Sequence, residues 1–185
     1  MLKRFTTKQL IFIALSGAII FAVAFLIGAG LIAVTGTPLV GGLINTLFLA
    51  ALLVICLLTL RKFGTATLIM FILSVLAIPT ATFGPPGIYK IAVALFLGIF
   101  ADTLLYIGKY KKGSYYLTII LGFIILPFVQ LFFMVLLNLP GVDKVKELIL
   151  ILAGVYAVEA LIGIWLGFLI FNKIKNRSAI KQISD

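Results

Sequence analysis

Six long apolar stretches divide this chain, and the breaks between them are short. Their approximate limits are 9–28, 39–60, 65–79, 88–108, 115–137 and 147–171, followed by a polar tail at 172–185. Within each stretch the apolar residues run continuously instead of alternating at a period of two. That excludes a transmembrane barrel and predicts helices, whose backbone groups are satisfied internally. A helix needs about 20 apolar residues to cross the hydrocarbon. The third stretch, from Thr65, is stopped short of that by Pro79. After it comes Thr80-Ala81-Thr82-Phe83-Gly84-Pro85-Pro86-Gly87, too rich in proline and glycine to continue a helix. Non-helical backbone at membrane depth is tolerated only where it is covered by protein, so this loop is expected to line a cavity. Another break rich in small residues, from Gly28 to Gly42, holds Thr35, Thr37 and Pro38. No internal repeat is visible, which disfavours an inverted-repeat carrier.

Charge orients the stretches. Lys3, Arg4 and Lys8 precede the first, and Arg61-Lys62 follow the second. Lys109, Lys111 and Lys112 follow the fourth; Lys173, Lys175, Arg177 and Lys181 follow the sixth. Only Lys90, Lys144 and Lys146 of the 15 basic residues fall at the alternate breaks. Basic residues accumulate on the cytoplasmic side. The expectation is therefore an all-α membrane protein of six transmembrane helices in one domain, 1–185, with both termini cytoplasmic. A chain 64% hydrophobic and 11% charged, with mean hydropathy +1.33, cannot coat a soluble globule. The net charge of +10 is spread over juxtamembrane sites, which fits topology and anionic lipid and excludes a nucleic-acid patch. A basic start followed by an apolar run to Ala22-Val23-Ala24 has the outline of a signal peptide. The run continues to Ile27 and resumes after Gly30, longer than a signal core, so retention is expected.

Chemistry-bearing residues are few. The chain has no histidine, and its one cysteine, Cys56, lies inside a stretch. No Ser-His or Cys-His dyad, no histidine or thiol metal site and no cofactor are expected, and the chain is not read as an enzyme. Gly84 to Lys90 superficially resembles a phosphate loop but lacks the Gly-Lys-Ser/Thr ending and does not follow a strand. Of five acids, Asp102 and Glu159 fall within predicted helices. Glu159 lies about 18 Å from the outer end of the sixth helix at 1.5 Å per residue. An intramembrane carboxylate is a functional candidate by default. Glu159, Gly163 and Gly167 recur at i, i+4 and i+8, so the acid shares a face with two glycines that permit close helix approach. A purely structural carboxyl remains the alternative. Asp102 and Lys90 share the fourth helix at opposite margins of one broad face, too far apart to pair. Asn45, Gln130 and Asn138 fall in the outer half, where with Lys90, Tyr89, Tyr156 and Glu159 they are candidates for an outward-facing pocket. Phe83, Tyr156 and Trp165 are candidate stacking residues. Pro127 leaves the carbonyl of Phe123 short of its partner and kinks the helix beside Gln130.

Ala14, Ala18 and Ala22 recur at i, i+4 and i+8 in the first helix, a smooth stripe for another helix to pack on. Thr6-Thr7-Lys8-Gln9-Leu10 precedes it. Phe83-Gly84-Pro85-Pro86-Gly87 and Gly98-Ile99-Phe100-Ala101-Asp102 lie further on. In this architecture and these three patches the chain resembles the substrate-binding S component of an energy-coupling factor (ECF) transporter. The resemblance implies a multi-pass protein of a prokaryotic plasma membrane that captures a vitamin or similar micronutrient. It implies partners too: a transmembrane T component, contacted by Ala14, Ala18 and Ala22, and two cytoplasmic ATPases. No ligand-specific signature matches thiamin, riboflavin, biotin or folate. The alternatives are an autonomous small channel or carrier, and a ligand-free accessory membrane protein.

Overall fold

Threonine, glycine and proline set where the helices begin and end. The computed structural model describes residues 4–35, 38–81, 83–139 and 141–184, and contains seven helices there. Lys3, Thr37 and Thr82 lie outside the described residues, as do the side chains of Thr35, Pro38, Lys144 and Lys181. Helix α1 (Thr7–Thr35) opens on a reciprocal capping box: the Thr6 amide donates to Gln9 Oε1 at 3.2 Å and the Gln9 amide to Thr6 Oγ1 at 3.4 Å. Helix α2 (Pro38–Thr59) starts at a proline, whose missing N–H falls where no intrahelical partner exists. Helix α3 (Thr65–Ala77) follows Gly64, left-handed at φ 95°, and stops before Pro79. Helices α4 (Tyr89–Ile107), α5 (Lys112–Leu136), α6 (Val142–Ile174) and the short α7 (Ser178–Ser184) complete the chain. From the sequence, the polar tail 172–185 reads as a frayed end. It instead extends α6 and forms α7, held to α1 where Gln9 Nε2 donates to Ile183 O at 3.1 Å.

The six long helices close a ring in the order α1, α2, α6, α5, α4, α3 and back to α1. Their directions alternate along the chain. Lys62 at the end of α2 reaches Gln9 at the start of α1 (2.8 Å), while Gly163 and Gly167 of α6 track Ala50 and Val54 of α2 in the same direction. The described chain ends therefore share one end of the ring with the α2–α3 and α4–α5 turns. The opposite end carries the α3–α4 and α5–α6 loops.

Four segments are long and apolar enough to cross a membrane: Thr7–Leu31, Tyr89–Ile107, Lys112–Leu136 and Val145–Ile174. Only 22% to 39% of an 18-residue apolar stretch in each is buried inside the protein, and large apolar side chains such as Leu26, Phe96, Phe132 and Leu150 are exposed on the exterior. The chain is accordingly membrane-embedded. Ile44–Thr59 and Thr65–Ala77 are shorter apolar helices. At 13 residues α3 is about 20 Å long, against hydrocarbon of about 30 Å.

In lipid, helices gain nothing from hiding apolar surface against each other, so close packing and hydrogen bonds hold the ring. Glycine supplies the packing. A Cβ on Gly163 would stand 2.5 Å from Leu47 O, one on Gly167 2.8 Å from Ala51 O, and one on Gly98 2.6 Å from Thr67 Cα. The Glu159-Gly163-Gly167 face thus lies against α2.

Helix α4 also grips both ends of α3. Asp102, fully buried, accepts from the amides of Ala66 (3.1 Å) and Thr67 (2.9 Å) and from Thr67 Oγ1 (2.6 Å). Lys90, 5% exposed, donates Nζ to Ala77 O (2.9 Å) and Thr80 O (2.7 Å). The anion sits at the positive end of the α3 dipole and the cation at the negative end. Twelve residues of α4 rise about 18 Å, close to the length of α3, which is why one face reaches both ends. The sequence pattern allows Asp102 to lie near the Lys109–Lys112 cluster and Lys90 to snorkel to the interface; in the structure both turn inward onto α3.

Candidate functional site

The ring encloses a cavity of about 570 Å³ that opens partly to the exterior. Its walls come from α2 (Asn45, Thr46, Leu49, Leu53), α3 (Met70, Leu73, Ser74, Ala77), α4, α5 and α6. The α3–α4 loop covers one end with Ala81, Phe83, Gly84 and Pro85, so the proline-glycine segment lines the cavity as expected. That loop is pinned at three points. Gly87 N donates to Ile78 O (3.0 Å), Gln130 Nε2 donates to Phe83 O (3.1 Å), and Lys90 holds Thr80. Gly84, at φ 103°, occupies a backbone region that disfavours any other residue, and a Cβ there would meet Gln130 Nε2 and the Tyr89 hydroxyl. Toward the other end the cavity stops at Ala101 and Thr118. One turn further on, Leu57, Leu60, Leu105 and Tyr115 are each no more than 1% exposed, and Tyr115 Oη donates to Leu57 O at 3.2 Å.

Five of the eight candidate binding residues meet on this wall: Asn45, Tyr89, Lys90, Gln130 and Tyr156. The other three do not. Asn138 is exposed in the turn after α5 with φ 51°, because the helix ends at Leu136 and leaves it outside. Trp165 is 56% exposed on the outer face of α6, two residues past the Gly163 contact and so rotated away from α2. Glu159 belongs to the α2–α6 seam, not the wall. Its carboxyl engages the side chain of Thr46, which does line the cavity, while Oε2 is buried without a partner.

The sequence reading missed Thr118, Thr46 and Ser74. Thr118 is 1% exposed and its hydroxyl has no partner; Ser74 instead satisfies itself by donating to Phe71 O at 2.7 Å. A lone threonine in the apolar run 117–129 was a readable signal. Two further buried polar atoms on the wall are unsatisfied: Asn45 Oδ1 and the Tyr89 hydroxyl, the latter beside the Gln130 amide but without a hydrogen bond of good geometry. Buried polar atoms of native proteins are almost always paired, so three orphans on residues that line one cavity are exceptions gathered at this site. Most of the remaining wall is aliphatic or aromatic, the usual make-up of a small-molecule site. No group of three or more metal-ligating side chains occurs among the described residues. Outside the spans, Tyr110 is pushed up to about 12, by burial first and then by Asp102, so its phenol stays neutral. Comparison with protein-family models, curated proteins and solved structures finds no match.

Proposed function

We propose that the chain is a six-span membrane subunit that captures a small solute from outside the cell, with both termini cytoplasmic, as in the S component of an ECF transporter. The observation that carries this reading is the cavity: ligand-sized, roofed by a pinned loop, bordered by residues that carry orphaned polar atoms, and stopped at one end by an apolar plug. A blind pocket suits capture, and the plug of Leu57, Leu60, Leu105 and Tyr115 argues against a continuous polar pore. The sequence holds no phosphate-loop motif, so in this reading movement of the solute draws its energy from partners, a transmembrane T component and two ATPases. Ala14 and Ala22 are exposed and Ala18 half-buried on α1, accessible to such a partner. Asn45, Tyr89, Lys90, Gln130 and Tyr156 are the proposed ligand contacts, with Glu159 orienting Thr46.

The test is affinity purification of the tagged chain from its native membranes under mild conditions, followed by mass spectrometry. A bound small molecule, a T-type membrane protein and two ATPases should be recovered. Recovery of the chain with neither a ligand nor ATPases would return it to the channel or accessory readings.

A further inference from the structure

What the cavity offers a ligand is carbon. Its polar side chains are already committed or closed off. Lys90 donates to Ala77 O and Thr80 O, Gln130 Nε2 to Phe83 O and Ser74 to Phe71 O, while Thr46 meets the Glu159 carboxyl. The orphaned oxygens of Asn45, Tyr89 and Thr118 are buried within the wall and present essentially no open surface. The charges of α4 are spent as well: Asp102 holds amides at one end of α3, and Lys90 holds carbonyls at the other. Among the described wall residues no charge is left over for a ligand. A charged group entering this space would give up its water for no counter-ion, and interiors tolerate a charge only when it is paired. The remaining wall is apolar, with Leu53, Leu97, Phe123 and Leu152 joined by Met70 and Met134, whose flexible thioethers adapt to irregular shapes. Its lining on α5 extends from Thr118 to Met134, about 24 Å at 1.5 Å per residue, whereas a sphere of 570 Å³ would be only about 10 Å across. The space is therefore long and narrow.

We propose that the cavity takes an elongated, electroneutral molecule that is mostly hydrocarbon, an alkyl or isoprenoid chain with at most one uncharged polar group. This rests on the capture reading and sharpens it. A compact polar or ionised micronutrient would leave the apolar length unused and find no partner for its charge. The residues named as ligand contacts then meet the molecule through the carbon of their side chains. Such a molecule reaches the site from the medium or from the bilayer itself, and the apolar contacts are the same for both.

The probe is an uncharged straight-chain alcohol with a terminal diazirine, added to the intact chain in lipid nanodiscs and crosslinked by light. Peptide mapping should place the label on the cavity wall, at Leu97, Phe123 or Leu126, and unlabelled alcohols should compete with an optimum length. Carboxylates and amines of the same length should compete more weakly by about tenfold or more, both signs alike. Gly122 lines the cavity, and a Cβ there meets nothing within 4 Å, so Gly122→Leu adds bulk without touching backbone and should move the optimum to shorter alcohols. Label confined to the exterior, at Phe96, Phe132 and Leu150, or an optimum that Gly122→Leu leaves in place, means partition into lipid and overturns the proposal. A charged series that competes as well as the alcohols overturns it too, and that comparison needs no variant to fold. Mass spectrometry of what the purified chain retains separates the sources. A neutral apolar compound drawn from the medium upholds both the ligand class and capture, whereas a neutral membrane lipid upholds the class and ends the capture reading. A compact polar or ionised solute overturns the ligand class and leaves capture standing. Retention of nothing, with no label on the wall, overturns both.

Discussion

Asp102 and Glu159 are the two acids inside the helices, and their surroundings give them different work. The Asp102 carboxylate receives three donors from the first turn of α3. Hydrogen bonds to a charged group contribute about 1.5–3 kcal/mol each in mutational tests, but losses within one cluster do not add. Asp102→Asn keeps the shape and one carbonyl acceptor, so it should destabilise the protein by about 1–3 kcal/mol, with Asp102→Ala worse. Thermal unfolding in detergent checks the order; an Asn variant as stable as the parent would remove the capping role. Sequence located both acids at membrane depth and could go no further. The partner of Asp102 lies 35 or 36 residues away, at Thr67 and Ala66, a contact made only by the packing of α4 on α3. For Glu159 the i+4 glycine spacing correctly turned the residue into the bundle, but did not say whether the seam or the cavity lay there. Because its carboxyl meets Thr46, Glu159→Gln preserves a hydrogen bond to that hydroxyl and should change ligand affinity less than threefold, about 0.6 kcal/mol. Lys90→Gln keeps a donor toward Ala77 O and Thr80 O but removes the charge from the end of α3, so it should lower stability by about 1–3 kcal/mol. Equilibrium binding to the first variant and thermal unfolding of the second separate the two roles.

Helix spacing in this ring depends on which glycines carry it. Gly163 and Gly122 look alike in the sequence, each a single glycine in an apolar helix. Their surroundings are opposite: a Cβ at Gly163 would stand 2.5 Å from Leu47 O, while one at Gly122 would meet nothing within 4 Å. Gly163→Ala must push α6 off α2 and should cost about 1–3 kcal/mol, as overpacking does. Gly122→Ala should be neutral or slightly stabilising, because alanine is the better helix former by up to about 1 kcal/mol. Paired unfolding curves decide it, and equal effects would contradict the ring packing described above. The end of α3 was legible at Pro79, but α6 begins at Val142, ahead of the expected 147, and α1 runs on to Thr35 past the expected end at 28, because isolated glycines do not stop an apolar helix. Element boundaries were not legible at the tail either, where α7 is held by a hydrogen bond across 174 residues of sequence. Nor does hydrophobic periodicity mark a cavity, because in a membrane helix apolar side chains face lipid and interior alike. What betrayed this cavity was the exception, a proline-glycine loop where backbone needs cover.

At the scale of the whole molecule, the alternation of helix direction and the split of basic residues are independent constraints that agree. The ring places both described ends beside the α2–α3 and α4–α5 turns, and those breaks hold Arg61, Lys62, Lys109, Lys111 and Lys112. If that end is cytoplasmic, the cavity roof faces outside, as capture requires, and the α1 alanine stripe is reached from within the bilayer. Ala18→Trp should then prevent recovery of ATPase modules with the tagged chain while leaving ligand binding and unfolding temperature unchanged. An Ala18→Trp protein that still brings down those modules would detach the stripe from any docking role. Topology itself has a direct test. Pro86 lies exposed in the α3–α4 loop, Asp143 in the first turn of α6, and Lys111 in the α4–α5 turn. In a background where the buried Cys56 is replaced by serine, single cysteines go in at each position. An impermeant thiol reagent applied to intact cells should label 86 and 143 and spare 111 until the membrane is opened. Labelling of 111 in sealed cells would invert the molecule, turn the cavity roof toward the cytoplasm, and end the uptake reading, because a pocket that opens inward cannot capture from outside.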